Sequence, residues 1–270
     1  IVIVALDRGI ALPLSVNRAF DWGPKWSPDG SRLAFSSDFV SGEIEQILIF
    51  EEGSTRTTSQ EITGHQEIVL MAADGSDLEQ ITNSPSTDSS PSWSPDGTKL
   101  AFNSDRSGNP DVYVMDVDGS NVVQITDHPG TDWLPSWSPD GTQLAFASDR
   151  SGNLDVYVMD VDGSNVVQIT DHPGTDWSPS WSPDGTRLAF ASERSGNSDV
   201  HVMDVDGSNV VQITDHPGTD SEPVWSPDGT RLAFASNRAG PTEVYLMDRS
   251  GEGLKRLGVQ GMPSDWLSVG

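Results

Sequence analysis

The chain has 270 residues and a formal net charge of −26, from 41 Asp and Glu set against 15 Lys and Arg. Such an excess argues against nucleic acid and anionic lipid as partners, because both need clustered cations to neutralise phosphate. Cysteine is absent, which excludes disulfides and thiolate metal sites. No apolar stretch is long enough for a helical membrane span.

The length suits a single all-β domain, expected to cover residues 1–270. The chain opens on Ile1 rather than Met, so a processed or excised segment is expected. Two short apolar runs come first, Ile1–Val4 and Leu12–Leu14, and both read as strands. The first full unit then departs from the later ones, with an insertion over residues 39–66 that includes the apolar run Ile44–Phe50. A protruding hairpin is expected there, on a single face.

From Pro91 the same 44-residue unit is written three times, and Trp93, Trp137, Trp181 and Trp225 keep that spacing. A fixed period of this size signals a repeat architecture. Each unit holds four short apolar runs, in the second copy Pro135–Ser138, Leu144–Ser148, Val156–Met159 and Val166–Thr170. They are too short for helices, and their Val, Ile, Tyr, Phe and Trp favour strands. Pro139-Asp140-Gly141 joins the first two and Asp162-Gly163 the last two. Asp-Gly is a hairpin signal because glycine tolerates the positive φ of tight turns. Each unit is therefore a meander of strands A to D. Strands B and C are apolar on both faces, so neighbouring copies must cover them, as blades do in a β-propeller.

The unit W-S-P-D-G-x-x-L-A-F-x-S-D-R-x-G-x-x-D-V-Y-V-M-D-x-D-G-S resembles the repeat of TolB-like β-propellers, a PD-repeat, WD40-like family. The same repeat occurs in the propellers of prolyl-oligopeptidase-type peptidases. The resemblance spans most of residues 24–257 and implies an all-β propeller fold. As to function it implies a binding scaffold, because propellers host many unrelated partners.

An aspartate precedes each key tryptophan by five residues: Asp21, Asp88, Asp132, Asp176 and Asp220. A sixth, Asp265, stands beside Trp266 near the C-terminus. Aligning Asp21 with Asp132 places Ile1–Val4 on strand C and Leu12–Leu14 on strand D. The expectation is a six-bladed propeller of four-stranded antiparallel blades, its ring closed by half-blades from the two termini. The blades fall at about 23–82, 91–126, 135–170, 179–214 and 223–257, with 1–15 and 263–270 sharing the sixth. That sixth blade lacks strand B, so a strand from a neighbouring molecule or from an extension of the chain is expected to fill the gap.

Both the B–C and the D–A connections lie at one end of such a propeller, and they carry DRSGNxD and DHPGTDW. The aspartates Asp21, Asp88, Asp132, Asp176, Asp220 and Asp265 enter strand A, so they should ring one mouth of the central channel. Close carboxylates repel, and a Ca²⁺ ion in the channel or a basic side chain from a partner would relieve them. Turn capping by each carboxylate is the other reading. Beside them stand Trp22, Trp133, Trp177 and Trp266, either core filler or rim aromatics for partner binding, with Ser89 and Ser221 in the equivalent places.

His128, His172 and His216 recur at the repeat spacing on separate loops, which favours a loop role over zinc. The resemblance implies that Asp105, Asp149, Glu193 and Asp38 brace the B–C turn. It implies the same of Asp111, Asp155, Asp199, Glu243 and Glu67, together with the intervening Arg106, Arg150, Arg194 and Arg238. No G-x-S-x-G, H-E-x-x-H or phosphate-loop motif is present, so no enzyme is expected. The leading expectation is a periplasmic or extracellular scaffold holding a protein or peptide at the channel mouth. The alternatives are a self-assembling structural subunit and an accessory propeller of a hydrolase or peptidase.

Overall fold

The computed structural model describes residues 1–5, 10–13, 21–38, 65–263 and 265. Strands β1 (Val2–Ala5) and β2 (Ile10–Pro13) form a two-stranded antiparallel sheet. Five four-stranded antiparallel blades come next, each in sequential order. Blade one is β3 (Asp21–Trp26), β4 (Arg32–Ser37), β5 (Glu67–Ala72) and β6 (Glu79–Gln80). Blade two is β7 (Asp88–Trp93), β8 (Lys99–Ser104), β9 (Asp111–Asp116) and β10 (Val123–Gln124). Blade three is β11 (Asp132–Trp137), β12 (Gln143–Ser148), β13 (Asp155–Asp160) and β14 (Val167–Gln168). Blade four is β15 (Asp176–Trp181), β16 (Arg187–Ser192), β17 (Asp199–Asp204) and β18 (Val211–Gln212). Blade five is β19 (Asp220–Trp225), β20 (Arg231–Ser236), β21 (Glu243–Asp248) and β22 (Lys255–Gln260).

The six-bladed expectation is thus corrected to five four-stranded blades. Among the described residues β1 pairs only with β2, and no strand comes after Gln260. Asp265 does not enter a first strand as its counterparts do. In the blades that aspartate lies opposite a serine at the end of the second strand, as Asp132 lies opposite Ser148. Asp265 has no second strand beside it among the described residues, and its carboxylate accepts the backbone N–H of Trp26 at 2.7 Å. The expected strand donation belongs to that sixth blade, of whose C-terminal half, 263–270, only residues 263 and 265 are described. The insertion 39–66 lies outside the described residues except for His65 and Gln66.

The second strand, Leu-Ala-Phe-Ala in most blades, explains how the blades stack. Leu144 and Phe146, with Tyr157 and Met159 of β13, pack on Ala101, Val112 and Val114 of blade two. Leu188, Phe190 and Met203 pack in turn on Ala145, Val156 and Val158. One face of each blade is large and the other small, so successive blades interlock. Full burial of each such Leu or Phe contributes about 1.5–3 kcal/mol. The large face of blade one, built from Leu33, Phe35, Val69 and Met71, packs with Ile1 and Trp26.

Polar contacts fix the spacing. The indole N–H groups of Trp93, Trp137, Trp181 and Trp225 donate to the carbonyls of Lys25, Ser92, Ser136 and Ser180 in the preceding blade, at 3.0–3.2 Å. Gly163 holds φ +83 in its turn, and a Cβ there would lie 2.5 Å from the Ile125 carbonyl of the blade before. The first strands of neighbouring blades lie side by side. They form the inner layer, and the fourth strands, short in blades one to four, lie outermost.

Candidate functional site: the mouth of the inner strands

The entry to each first strand combines burial with charge. Asp88, Asp132, Asp176 and Asp220 are fully buried. Each meets an arginine from the second-to-third-strand loop of its own blade. Arg106 Nη2 lies 3.0 and 2.8 Å from the two oxygens of Asp88, and Arg150 Nη2 lies 2.8 and 2.9 Å from those of Asp132. Arg194 and Arg238 reach one oxygen only, Oδ2 of Asp176 at 2.8 Å and Oδ2 of Asp220 at 2.6 Å. Each guanidinium Nε also donates to a buried serine, such as Ser148 Oγ at 2.9 Å. Its flat face covers aromatic rings, with Arg150 4.9 Å from the Tyr157 centroid and 5.1 Å from that of Phe146. A buried carboxylate is tolerated only when it is paired and hydrogen-bonded in this way.

In blades two to five the aspartates expected to ring the channel each stand at the entry to a first strand, paired with an arginine of the same blade. Asp21 is half-buried and accepts Ser37 Oγ at 2.7 Å. Among the described residues no group of three or more His, Asp or Glu stands ready to hold a metal ion. The arginine is visible in the repeated Asp-Arg-Ser-Gly, but its target is not. The resemblance implies a brace of its own loop, whereas the side chain crosses to the first strand.

A second carboxylate layer lies at the start of the third strands. Asp155 accepts from Ser151 Oγ, Gln168 Nε2 and Thr170 Oγ1 at 2.7, 3.0 and 3.2 Å. Burial pushes the carboxyls of Glu67, Asp111 and Asp155 above the ordinary carboxylate range. In blade five the equivalent Glu243 is held down instead by the side chain of Arg256.

Histidines build the outer loop of this end. His128, His172 and His216 accept the N–H of Gly130, Gly174 and Gly218 through Nδ1 at 2.9–3.0 Å. Their carbonyls accept the side chains of Asn109, Asn153 and Asn197. The three rings thus serve three separate turns.

Over this network stand the tryptophans. Trp22 is 44% exposed, and Trp133 and Trp177 are half-buried. Ser89 and Ser221 take the place in blades two and five. Trp266 lies outside the described residues. Asp127, Asp171 and Asp215 are exposed on the adjoining loops. This end presents partly exposed indoles and carboxylates above a self-neutralised base.

Repeat, stacked blades and inner strands together define a β-propeller built from PD-type units. Comparison with known proteins agrees. Residues 168–266 match the TolB beta propeller domain, and residues 56–153 match the Tricorn protease N-terminal beta propeller domain. A Protein TolB homolog from Chlorobium luteolum is 34% identical over 122 residues, covering 38% of this chain and 28% of that protein. The Tol-Pal system protein TolB of Bordetella pertussis is 36% identical over 107 residues, covering 31% of this chain and 24% of that protein. The match therefore spans only about a quarter of these relatives. The crystal structure of TolB from Acinetobacter baumannii superposes with a TM-score of 0.79 at 23% identity, over 97% of this chain and 61% of that one. The chain has a β-propeller fold and is similar to TolB-like propellers over part of its length.

Proposed function

We propose that this propeller is a non-enzymatic scaffold that holds a protein or peptide segment across the mouth formed by its inner strands. The observation that carries the reading is the placement of Trp22, Trp133 and Trp177, partly exposed at the entry to the inner strands over a fully buried layer of ion pairs. Indoles on a rigid base are the anchors that protein interfaces concentrate. The arginines and aspartates beneath them are engaged with one another, and the histidines are engaged in turns, so these groups serve structure rather than bond making. A periplasmic or extracellular setting goes with the curated relatives, one of which is named for the Tol-Pal system. No helix among the described residues is long and apolar enough to cross a membrane. The match to the propeller domain of the Tricorn protease favours, as a second reading, an accessory propeller of a hydrolase.

A random-peptide display selection on the purified propeller tests the first reading. Peptides enriched on the native chain are expected to be lost on the Trp133→Ser, Trp177→Ser double variant. Serine already stands at positions 89 and 221, so the fold accommodates it. Enriched peptides that bind both proteins equally would contradict the reading.

A further inference from the structure

Every first strand carries a register shift at the same place, for example between Trp133 and Ser136 and between Ser221 and Val224. At the shift the third residue turns into the left-handed region: Gly23 at φ 56, Ser90 at 54, Leu134 at 57, Ser178 at 52 and Glu222 at 51. Only glycine adopts that conformation without penalty. Bulges of this kind re-aim a side chain and are frequent beside functional sites. Sequence adds a second point. The next two places read Pro-Ser in three consecutive copies, and the key tryptophan always comes after them, yet the bulge residue changes from Ser90 to Leu134 to Ser178 to Glu222. The bulge is one of the few places at which the copies differ.

The arc has two unlike halves. In the first, side chains of one blade close the bulge of the next. Ser36 Oγ accepts Ser90 N–H at 2.9 Å, and Asn103 Oδ1 accepts Leu134 N–H at 2.9 Å while its Nδ2 donates to Asp132 O at 2.7 Å. In the second half Ala147 and Ala191 take those positions. There Ser178 Oγ donates to Glu222 Oε1 at 2.9 Å across the seam. On the same two blades Asp176 Oδ1 and Asp220 Oδ1 are buried without a hydrogen-bond partner. Blades two and three leave no such atom among the described residues, because Arg106 and Arg150 span both oxygens of their aspartates.

We infer that the inner arc of blades four and five is the subsite that selects the partner, and that it takes an arginine or lysine side chain of the bound segment. This rests on the mouth reading above. Glu222 is half-buried and keeps one oxygen beyond its bond to Ser178, so it can accept a charge-assisted hydrogen bond. Two residues upstream on the same strands Asp176 and Asp220 each keep one oxygen without a hydrogen-bond partner, which adds buried negative charge beneath this arc. An acidic or apolar side chain would leave the Glu222 carboxylate without a counter-charge on desolvation, which is costly. Leu134 on the other half offers an apolar wall.

The test uses a labelled heptapeptide with two central arginines and its citrulline counterpart, compared by fluorescence anisotropy at about 150 mM salt, where bulk charge is screened beyond about 8 Å. The native chain is expected to prefer the arginine peptide at least tenfold. Glu222→Gln keeps the bond to Ser178 and should abolish that preference. Asp162→Asn, the same charge change on a turn at the opposite end, should retain it. A tenfold preference that survives Glu222→Gln overturns the subsite, as does no preference in the native chain or an equal loss in Asp162→Asn. The Trp133→Ser, Trp177→Ser variant is expected to weaken both peptides alike. If it weakens neither while Glu222→Gln still acts, the mouth reading fails and the charge preference stands.

Discussion

The two ends of this propeller are built from the same residue type put to opposite uses. At the turn end the aspartates of Ser-Pro-Asp-Gly and Val-Asp-Gly-Ser are exposed and bind their own turns. Asp184, for instance, accepts Ser182 Oγ, Thr186 N and Thr186 Oγ1 at 2.6, 3.0 and 2.8 Å. At the mouth end the aspartates are buried and reach across strands to arginine. One end is a set of independent local caps, the other a packed network that depends on its partners. Local caps can be changed singly, whereas the network carries the inner strands on which recognition is proposed.

Titration should separate the ends as well. Hydrogen bonds from serine and threonine hold Asp29, Asp184 and Asp228 at about 2. Their folded pKa is depressed, so their contribution is present above the unfolded value and is lost as pH falls toward 2. Burial raises Glu67, Asp111 and Asp155, whose contribution is present below the unfolded value and lost as pH rises through the folded one. The two ends therefore oppose each other in the acid range.

Breaking the mouth network should have the largest effect. Arg150→Leu strands the buried charge of Asp132 and is expected to cost about 3–5 kcal/mol in denaturant unfolding. Adding Asp132→Leu should recover much of that loss, and a purely additive double variant would deny the coupling. Next in size, Trp181→Phe removes the indole bond to Ser136 O between blades three and four. Leaving that carbonyl unanswered should cost about 1–3 kcal/mol.

Blade four gives a finer contrast, because His201 stands where blades two, three and five have Tyr113, Tyr157 and Tyr245. His201 is 2% exposed, its ring lies tilted 5.7 Å from that of Phe190, and its burial pushes the imidazole below its ordinary value. A depressed histidine contributes stability above its unfolded pKa that is lost as pH falls through the folded one. His201→Tyr should therefore flatten the pH dependence of melting below about 6.5, the ordinary histidine value. An unchanged profile would place that dependence elsewhere. The smallest effect is expected at the turn end, where Asp184→Ala should lower the melting temperature by roughly 1–2 °C, a local change for a chain of this size.

Much of the fold is legible in the sequence because the repeat states it several times. Period, Asp-Gly turns and the two-faced Leu-Ala-Phe-Ala strand give four-stranded blades that cover one another. The number of blades is not legible from the same signs. Asp265 carries the sequence mark of a first strand, but pairing needs a second strand beside it, and its carboxylate caps Trp26 instead. For the site, chain position reveals which aspartates enter the inner strands. It does not reveal that Arg106, Arg150, Arg194 and Arg238 neutralise them, since that contact spans 18 residues and crosses from a loop to another strand. The bulge residues are equally hidden, because a left-handed serine, leucine or glutamate leaves no mark in composition.

Hydrogen-exchange mapping of the propeller, with and without a peptide selected on it, tests the central claim most directly. The account predicts added protection at residues 132–134, 176–178 and 220–222, on the inner strands at the mouth. Protection confined to the turns at 118–121, 162–165 and 206–209, with the inner strands unchanged, would contradict it.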